Sequence, residues 1–144
     1  MGAAAYVDGS YNVKTKLFSY GIVFFTGAVD QEGNRQELHF SKAFEHEELA
    51  QMRNVAGEIM GAAQAMKIAG KLGIRELVIY HDYEGISKWC TGEWKAKQTW
   101  TQKYRDFYLE MSRILAISFV KVKGHSHDKY NDLADALARK AVGN

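Results

Sequence analysis

The hydrophobic rhythm of the chain first changes near residue 50, and this change restricts the fold more than any other feature. Before it, apolar residues run together in short stretches or alternate, the pattern of strands. Ala5-Tyr6-Val7-Asp8 is short and apolar, and Gly9-Ser10 follows as a turn signal. Phe18 to Thr26 is rich in aromatic and β-branched residues and predicts a buried strand. Gln31-Glu32-Gly33-Asn34 supplies a turn, and Gln36 to Phe44 alternates, with Leu38, Phe40 and Ala43 as its apolar positions. Three such segments in succession predict an antiparallel meander. After the change, Met52, Val55, Ala56, Ile59, Met60, Ala63 and Met66 recur at spacings of three and four, which predicts an amphipathic helix ending near Gly70 or Gly73.

The second half alternates between the two rhythms. Leu77-Val78-Ile79-Tyr80-His81-Asp82 reads as a strand of the buried parallel type. Residues 84–91 predict a short helix and 98–115 a longer one, with Tyr104, Phe107, Tyr108, Met111 and Leu115 as its stripe. Ile117 to Lys123 is a last strand, and Lys129 to Val142 a last helix that carries Leu133, Ala134, Leu137, Ala138 and Ala141 on one face. The order βββαβααβα predicts an α/β fold. Its sheet is five-stranded and mixed, three antiparallel strands followed by two parallel ones, with helices packed on the faces. With 144 residues, 47% of them hydrophobic and none proline, one domain spanning 1–144 is expected, and it is as well a candidate domain of a longer chain.

In such a sheet the first and fourth strands lie parallel, with Asp8 and Asp82 side by side near one edge. Taken singly, each acid of this chain has an ordinary reading. Asp8 before Gly9 is turn chemistry. Glu58 at the rim of the long helix's stripe is a solvated flank, and Asp135 is a surface acid on an Ala-rich helix with Asn131 one turn earlier on the same side. Asp82 ends the strongest strand, where open α/β sheets place functional residues, while His81 points to the opposite face. Taken together the acids point elsewhere. Clustered carboxylates repel one another and gain nothing without a cation. Oxygen-only ligands favour Mg²⁺ or Mn²⁺ over zinc, and two such ions roughly 4 Å apart activate a water and stabilise a leaving oxygen.

Five strings, in order, resemble type 1 ribonuclease H. They are Tyr6-Val7-Asp8-Gly9-Ser10, Asn54-Val55-Ala56-Gly57-Glu58, Ile79-Tyr80-His81-Asp82-Tyr83, Val122-Lys123-Gly124-His125-Ser126 and Asn131 through Arg139. The resemblance covers nearly the whole chain and implies the RNase H-like fold. It also implies an endonuclease that cuts the RNA strand of RNA–DNA hybrids with two magnesium (or manganese) ions and leaves 5′-phosphate and 3′-hydroxyl ends. By the motifs the ligands are Asp8, Glu58, Asp82 and Asp135. Asp132 is the rival for the last place, but the pattern Ala-Asp-x-Leu-Ala selects Asp135 and the helical wheel agrees. His125 resembles the family's mobile histidine, a group that titrates near neutral pH and is placed to move protons or release product. His125-x-His127 has no cysteine partners, which argues against zinc.

The RNA strand is marked by its 2′-hydroxyls. Gly9, Ser10 and Asn54 stand where family members contact them. Cations and aromatics interleave between Ser87 and Asp106, and Trp94, Lys95 and Lys97 are expected to form an exposed contact for the phosphate backbone. The loop Tyr11-Asn12-Val13-Lys14 departs from the Gly/Pro-rich sequence common in relatives. Some relatives also carry an N-terminal hybrid-binding domain that is not part of this sequence, so processivity is expected to need a further segment. A net charge of +2 excludes nothing among partners. Cys90 is the single cysteine, which rules out an intrachain disulfide and fits a reducing, cytoplasmic setting. No apolar run approaches the ~18 residues of a membrane span. The chain is expected to act as a monomer. The competing readings are a DNA nuclease or strand-transfer enzyme with the same fold, and a non-catalytic nucleic-acid-binding module.

Overall fold

The structure is a computed structural model that describes residues 2–123 and 128–144. Its strands are β1 (Ala3–Tyr11), β2 (Phe18–Val29), β3 (Arg35–Phe44), β4 (Glu76–His81) and β5 (Ala116–Lys121). Its helices are α1 (Asn54–Lys71), α2 (Gly85–Thr91), α3 (Thr99–Met111) and α4 (Lys129–Ala141), with a 3₁₀ turn at Leu49–Met52 before α1. The strands form one five-stranded sheet in the order β3-β2-β1-β4-β5. The first three pair antiparallel, and β1–β4 and β4–β5 pair parallel, as the sequence predicts.

β2 is buried along eight consecutive residues because helices cover both faces of the sheet there. Tyr20, Ile22 and Phe24 join the main core with Ile59, Ala62 and Met66 of α1. Val23 and Phe25 face the other way, where Ala134, Leu133 and Leu137 of α4 pack. The same alternation in β1 sends Ala3, Ala5 and Val7 into the α1 side and Ala4 and Tyr6 to the α4 side. Asp8, two residues beyond Tyr6, therefore belongs to the α4 side.

Local expectation fails at the end of β1. Gly9-Ser10 is not a turn: the strand continues to Tyr11, with Gly9 opposite Tyr20 and Ser10 opposite Ser19. The turn comes later, where the Asn12 side chain accepts from the backbone N–H of Lys14 and Thr15 and Lys16 takes φ 63°. Gly9 serves close packing instead. A Cβ there would collide with the Asn54 carbonyl and stand 2.7 Å from the Glu58 backbone nitrogen. The long helix predicted over 98–115 stops at Met111, and Leu115 is buried in the turn before β5. No helix among the described residues is long and apolar enough to cross a membrane.

Candidate metal centre

The parallel ladder between β1 and β4 pairs Tyr6 with Tyr80 and ends there. The two rings stack at 4.4 Å, so both side chains stand on one face of the sheet. Two residues further along each strand come Asp8 and Asp82, on that same face by strand alternation. Backbone pairing has ceased by then, so a carboxylate can enter between the strand ends. Glu58 does so from the α1 side, admitted by the small contact between Gly57 and β1–β2, where a Cβ would collide with the Ser19 carbonyl. The result is a group in which Asp8, Glu58 and Asp82 each bring an oxygen within 4.8 Å of the other two.

Asp135 arrives from α4. The Asp128 side chain caps this helix by accepting from the N–H of Tyr130 and Asn131, and an Asp just before a helical run is an N-cap signal legible in the sequence. Gly21 lets α4 approach β2, since a Cβ there would collide with the Ala134 carbonyl. Asp135 lies outside the mutual spacing of the other three acids but close enough to Asp8 to raise its carboxyl, and Arg139 Nε donates to its Oδ2 at 2.9 Å. All four acids line one cleft of about 370 Å³ with Gly9, Asn54, Tyr83, Asn131 and Asp132. Asp132, the rival for the fourth place, is exposed and lies farther round the helix.

Burial and mutual repulsion dominate the electrostatics. The Asp8 carboxyl is pushed up to about 8, by burial first and then by the charge of Asp82, against the pull of the Gly9 N–H that donates to its Oδ1 at 2.9 Å. Glu58, 1% exposed, is raised well above its ordinary range, again by burial first, then by Asp82 and Asp8. Its carboxyl lies within 4.8 Å of that of Asp82. Carboxylates held this close repel one another, and a bound cation would balance that charge. The solvated-flank reading of Glu58 does not hold.

The sign of the pH effect follows. Folding raises the pKa of Asp8 and Glu58, so their contribution to stability is full below the ordinary carboxyl range and is lost as pH rises through the folded values, about 8 for Asp8. In chelator, the melting temperature should fall between about pH 5 and about pH 8. Mg²⁺ or Mn²⁺ should restore it, and Asp8→Asn should flatten the slope. A wild-type slope no steeper than that of Asp8→Asn would contradict this electrostatic account.

The family model for RNase H matches residues 2–143. The chain belongs to the RNase H family. Among curated relatives, a ribonuclease H of Wolbachia pipientis wMel is 39% identical over 62 residues, covering 41% of this chain and 43% of that protein. A ribonuclease H of Chlorobium phaeobacteroides is 28% identical over 99 residues, covering 60% of this chain and 66% of that protein. These matches therefore span between under half and about two thirds of the relatives' own length. RNase H1 of the archaeon Halobacterium salinarum shares the fold at a TM-score of 0.78 and 20% identity, covering 99% of this chain and 98% of that one. LC11-RNase H1, solved in complex with an RNA/DNA hybrid, shares it at a TM-score of 0.71 and 16% identity, covering 97% and 99%.

The remaining residues expected of an RNase H site are placed as follows. Gly9 lines the cleft, its N–H engaged by Asp8. Ser10 is buried and accepts from Asn144 Nδ2 at 3.2 Å. Asn54 is exposed at the first turn of α1, on the lip of the cleft one helical turn before Glu58. Lys95 and Lys97 are exposed, but Trp94 is not: it is half-buried, edge-on to Tyr83 and Trp89 at 6.0 Å, with the Lys88 ammonium 5.6 Å from its ring. An indole with two aromatic neighbours gains more by packing than by facing water. His81 is fully buried, its Nδ1 sits 2.9 Å from the Tyr83 carbonyl, and it is not part of the group formed by Asp8, Glu58 and Asp82. His125 and His127 lie outside the described residues.

Proposed function

We propose that this chain is an endonuclease that hydrolyses the RNA strand of RNA–DNA hybrids with two Mg²⁺ or Mn²⁺ ions, leaving 5′-phosphate and 3′-hydroxyl ends. One observation carries the reading: three carboxylates share a buried pocket in which Glu58 Oε2 has no hydrogen-bond partner among the described residues. Buried orphan acceptors are rare and costly. An all-oxygen, strongly anionic donor set fits a hard divalent cation and does not fit zinc. Asp8, Glu58, Asp82 and Asp135 would hold the ions. When bound, these supply a nucleophilic water at neutral pH and neutralise charge at the scissile phosphate.

The chain's own residues do the rest. Asp8 touches both the Asp82 and the Asp135 neighbourhoods and so ties the two sides of the centre together. Asn54 offers a carboxamide at the lip suited to a ribose 2′-hydroxyl, and Gly9 brings the β1 backbone to the same place. The exposed Asn54 reads the sugar, buried Ser10 stands behind the β1 backbone, and Lys95 and Lys97 meet the phosphates. These lysines rim a second cleft with Tyr83, Gln98 and Thr101. Replacing both with Ala should weaken hybrid binding and lower the slope of log affinity against log salt by about two. An unchanged slope removes them from the interface. His125 is assigned proton transfer or product release. Its replacement by Ala should slow turnover without weakening ion binding. A monomer in a reducing cytoplasm suits Cys90, whose buried thiol is pushed up to about 12 and is thereby unreactive.

Initial cleavage rates on hybrid, duplex DNA and duplex RNA of one sequence, with Mg²⁺ and Mn²⁺ titrated separately, test the reading. Preference for the hybrid is expected. Preference for duplex DNA would instead establish a DNA nuclease or strand-transfer enzyme, and binding without cleavage of any substrate would establish a binding module.

A further inference from the structure

Asn131 stands one turn before Asp135 on α4 and lines the acidic cleft, yet nothing in the arrangement so far uses it. It is 4% exposed, and its Oδ1 is buried with no hydrogen-bond partner among the described residues. Its backbone is fixed, since its N–H donates to the Asp128 side chain at 3.0 Å. A buried acceptor without a donor keeps its full desolvation penalty. No donor among the described residues reaches it, and the acids Asp8, Glu58, Asp82 and Asp135 line the same cleft. Two orphan acceptors, Glu58 Oε2 from α1 and Asn131 Oδ1 from α4, thus enter one cleft from helices on opposite faces of the sheet. They differ in chemistry. The carboxylate can neutralise a cation, whereas the neutral carboxamide is suited to accept a hydrogen bond from a water in that cation's hydration shell.

We propose that Asn131 is a positioning residue that orders a water in the hydration shell of a divalent cation held by the acids, and thereby raises the affinity of the centre for the ion. The proposal rests on the reading of the acids as a metal centre. Outer-shell partners of this kind typically change metal affinity by 10–100-fold. The orphaned oxygen then has a functional account: it lowers the stability of the ion-free chain and is satisfied when the ion arrives.

Isothermal titration of Mn²⁺ and of Mg²⁺ into the full chain without nucleic acid tests this. The proteins are wild type, Asn131→Ala, Asn131→Leu (similar volume, no acceptor) and Asn131→Asp (acceptor kept, charge added), with Asp82→Asn as control. The Ala and Leu variants should bind the ion about tenfold more weakly, and Asn131→Asp should match or exceed wild type. Melting in chelator should show Asn131→Leu as stable as wild type or more so, since the orphan is gone. Wild-type ion affinity in Asn131→Ala and Asn131→Leu would overturn the proposal, as would Asn131→Asp binding as weakly as Leu, which would mark a merely structural role. If wild type itself takes up neither ion and Asp82→Asn titrates identically, the metal-centre reading fails and this inference falls with it.

Discussion

Asp8→Asn should lower RNA cleavage by at least ~10³-fold while leaving hybrid affinity within a few-fold of wild type. The substitution changes one oxygen to a nitrogen donor and preserves shape. It removes a carboxylate charge at the residue whose carboxyl both Asp82 and Asp135 raise. The contacts assigned to Lys95 and Lys97 lie in a second cleft, and Asn54 on the lip of this one keeps its side chain, so hybrid binding should persist. In ion-free buffer the same variant should melt several degrees higher at neutral pH than wild type, because the mutual repulsion among the acids is relieved. Loss of cleavage with a gain in ion-free stability is the signature of a charged functional cluster. Single-turnover cleavage, filter binding and thermal melting measure the three quantities. Cleavage within tenfold of wild type would remove Asp8 from the centre.

The second large effect falls on stability. Gly57 lies inside α1, where Ala is the better helix former by about 1 kcal/mol, so local propensity predicts that Gly57→Ala stabilises. Packing predicts the opposite. The new Cβ would run into the Ser19 carbonyl of β2 and stand 3.1 Å from the Gly9 Cα, both backbone atoms that no rotamer change can clear. The helix must lift from the sheet, and overpacking of this kind costs about 1–3 kcal/mol or more. A drop in melting temperature on the order of 10 °C is expected. Cleavage should fall as well, because Glu58 is the next residue. A neutral or raised melting temperature would show that α1 does not sit this close to β1 and β2.

This contact also explains what could and could not be read from the residues alone. The strand order and the pairing of Asp8 with Asp82 follow from hydrophobic periodicity and the rules of parallel sheets, because each is a property of repeated local patterns. The burial of Glu58 does not. Periodicity counts a Glu beside an apolar stripe as a flank, and only the small residues Gly57 and Gly61 on the same helix signal that the backbone, not a side-chain layer, meets the sheet there. Gly9-Ser10 misleads for the same reason: turn chemistry and close packing both call for glycine, and only the partner helix decides between them. The lysines beside Trp94 predict an exposed ring, whereas Tyr83 and Trp89, brought back to it across α2, claim it. Helical spacing puts Asn131 on the side of Asp135, but its orphaned oxygen is a fact of packing.

The central claim is that the four acids hold divalent ions that direct water, rather than the ribose 2′-hydroxyl, at an RNA phosphate. The direct test is mass spectrometry of the products from a hybrid whose two strands are separately labelled, with Mg²⁺ raised from zero in chelated buffer. The account predicts fragments from the RNA strand alone, with 5′-phosphate and 3′-hydroxyl ends, and none without the ion. Cleavage in chelator, 2′,3′-cyclic phosphate ends, or fragments of the DNA strand would contradict it.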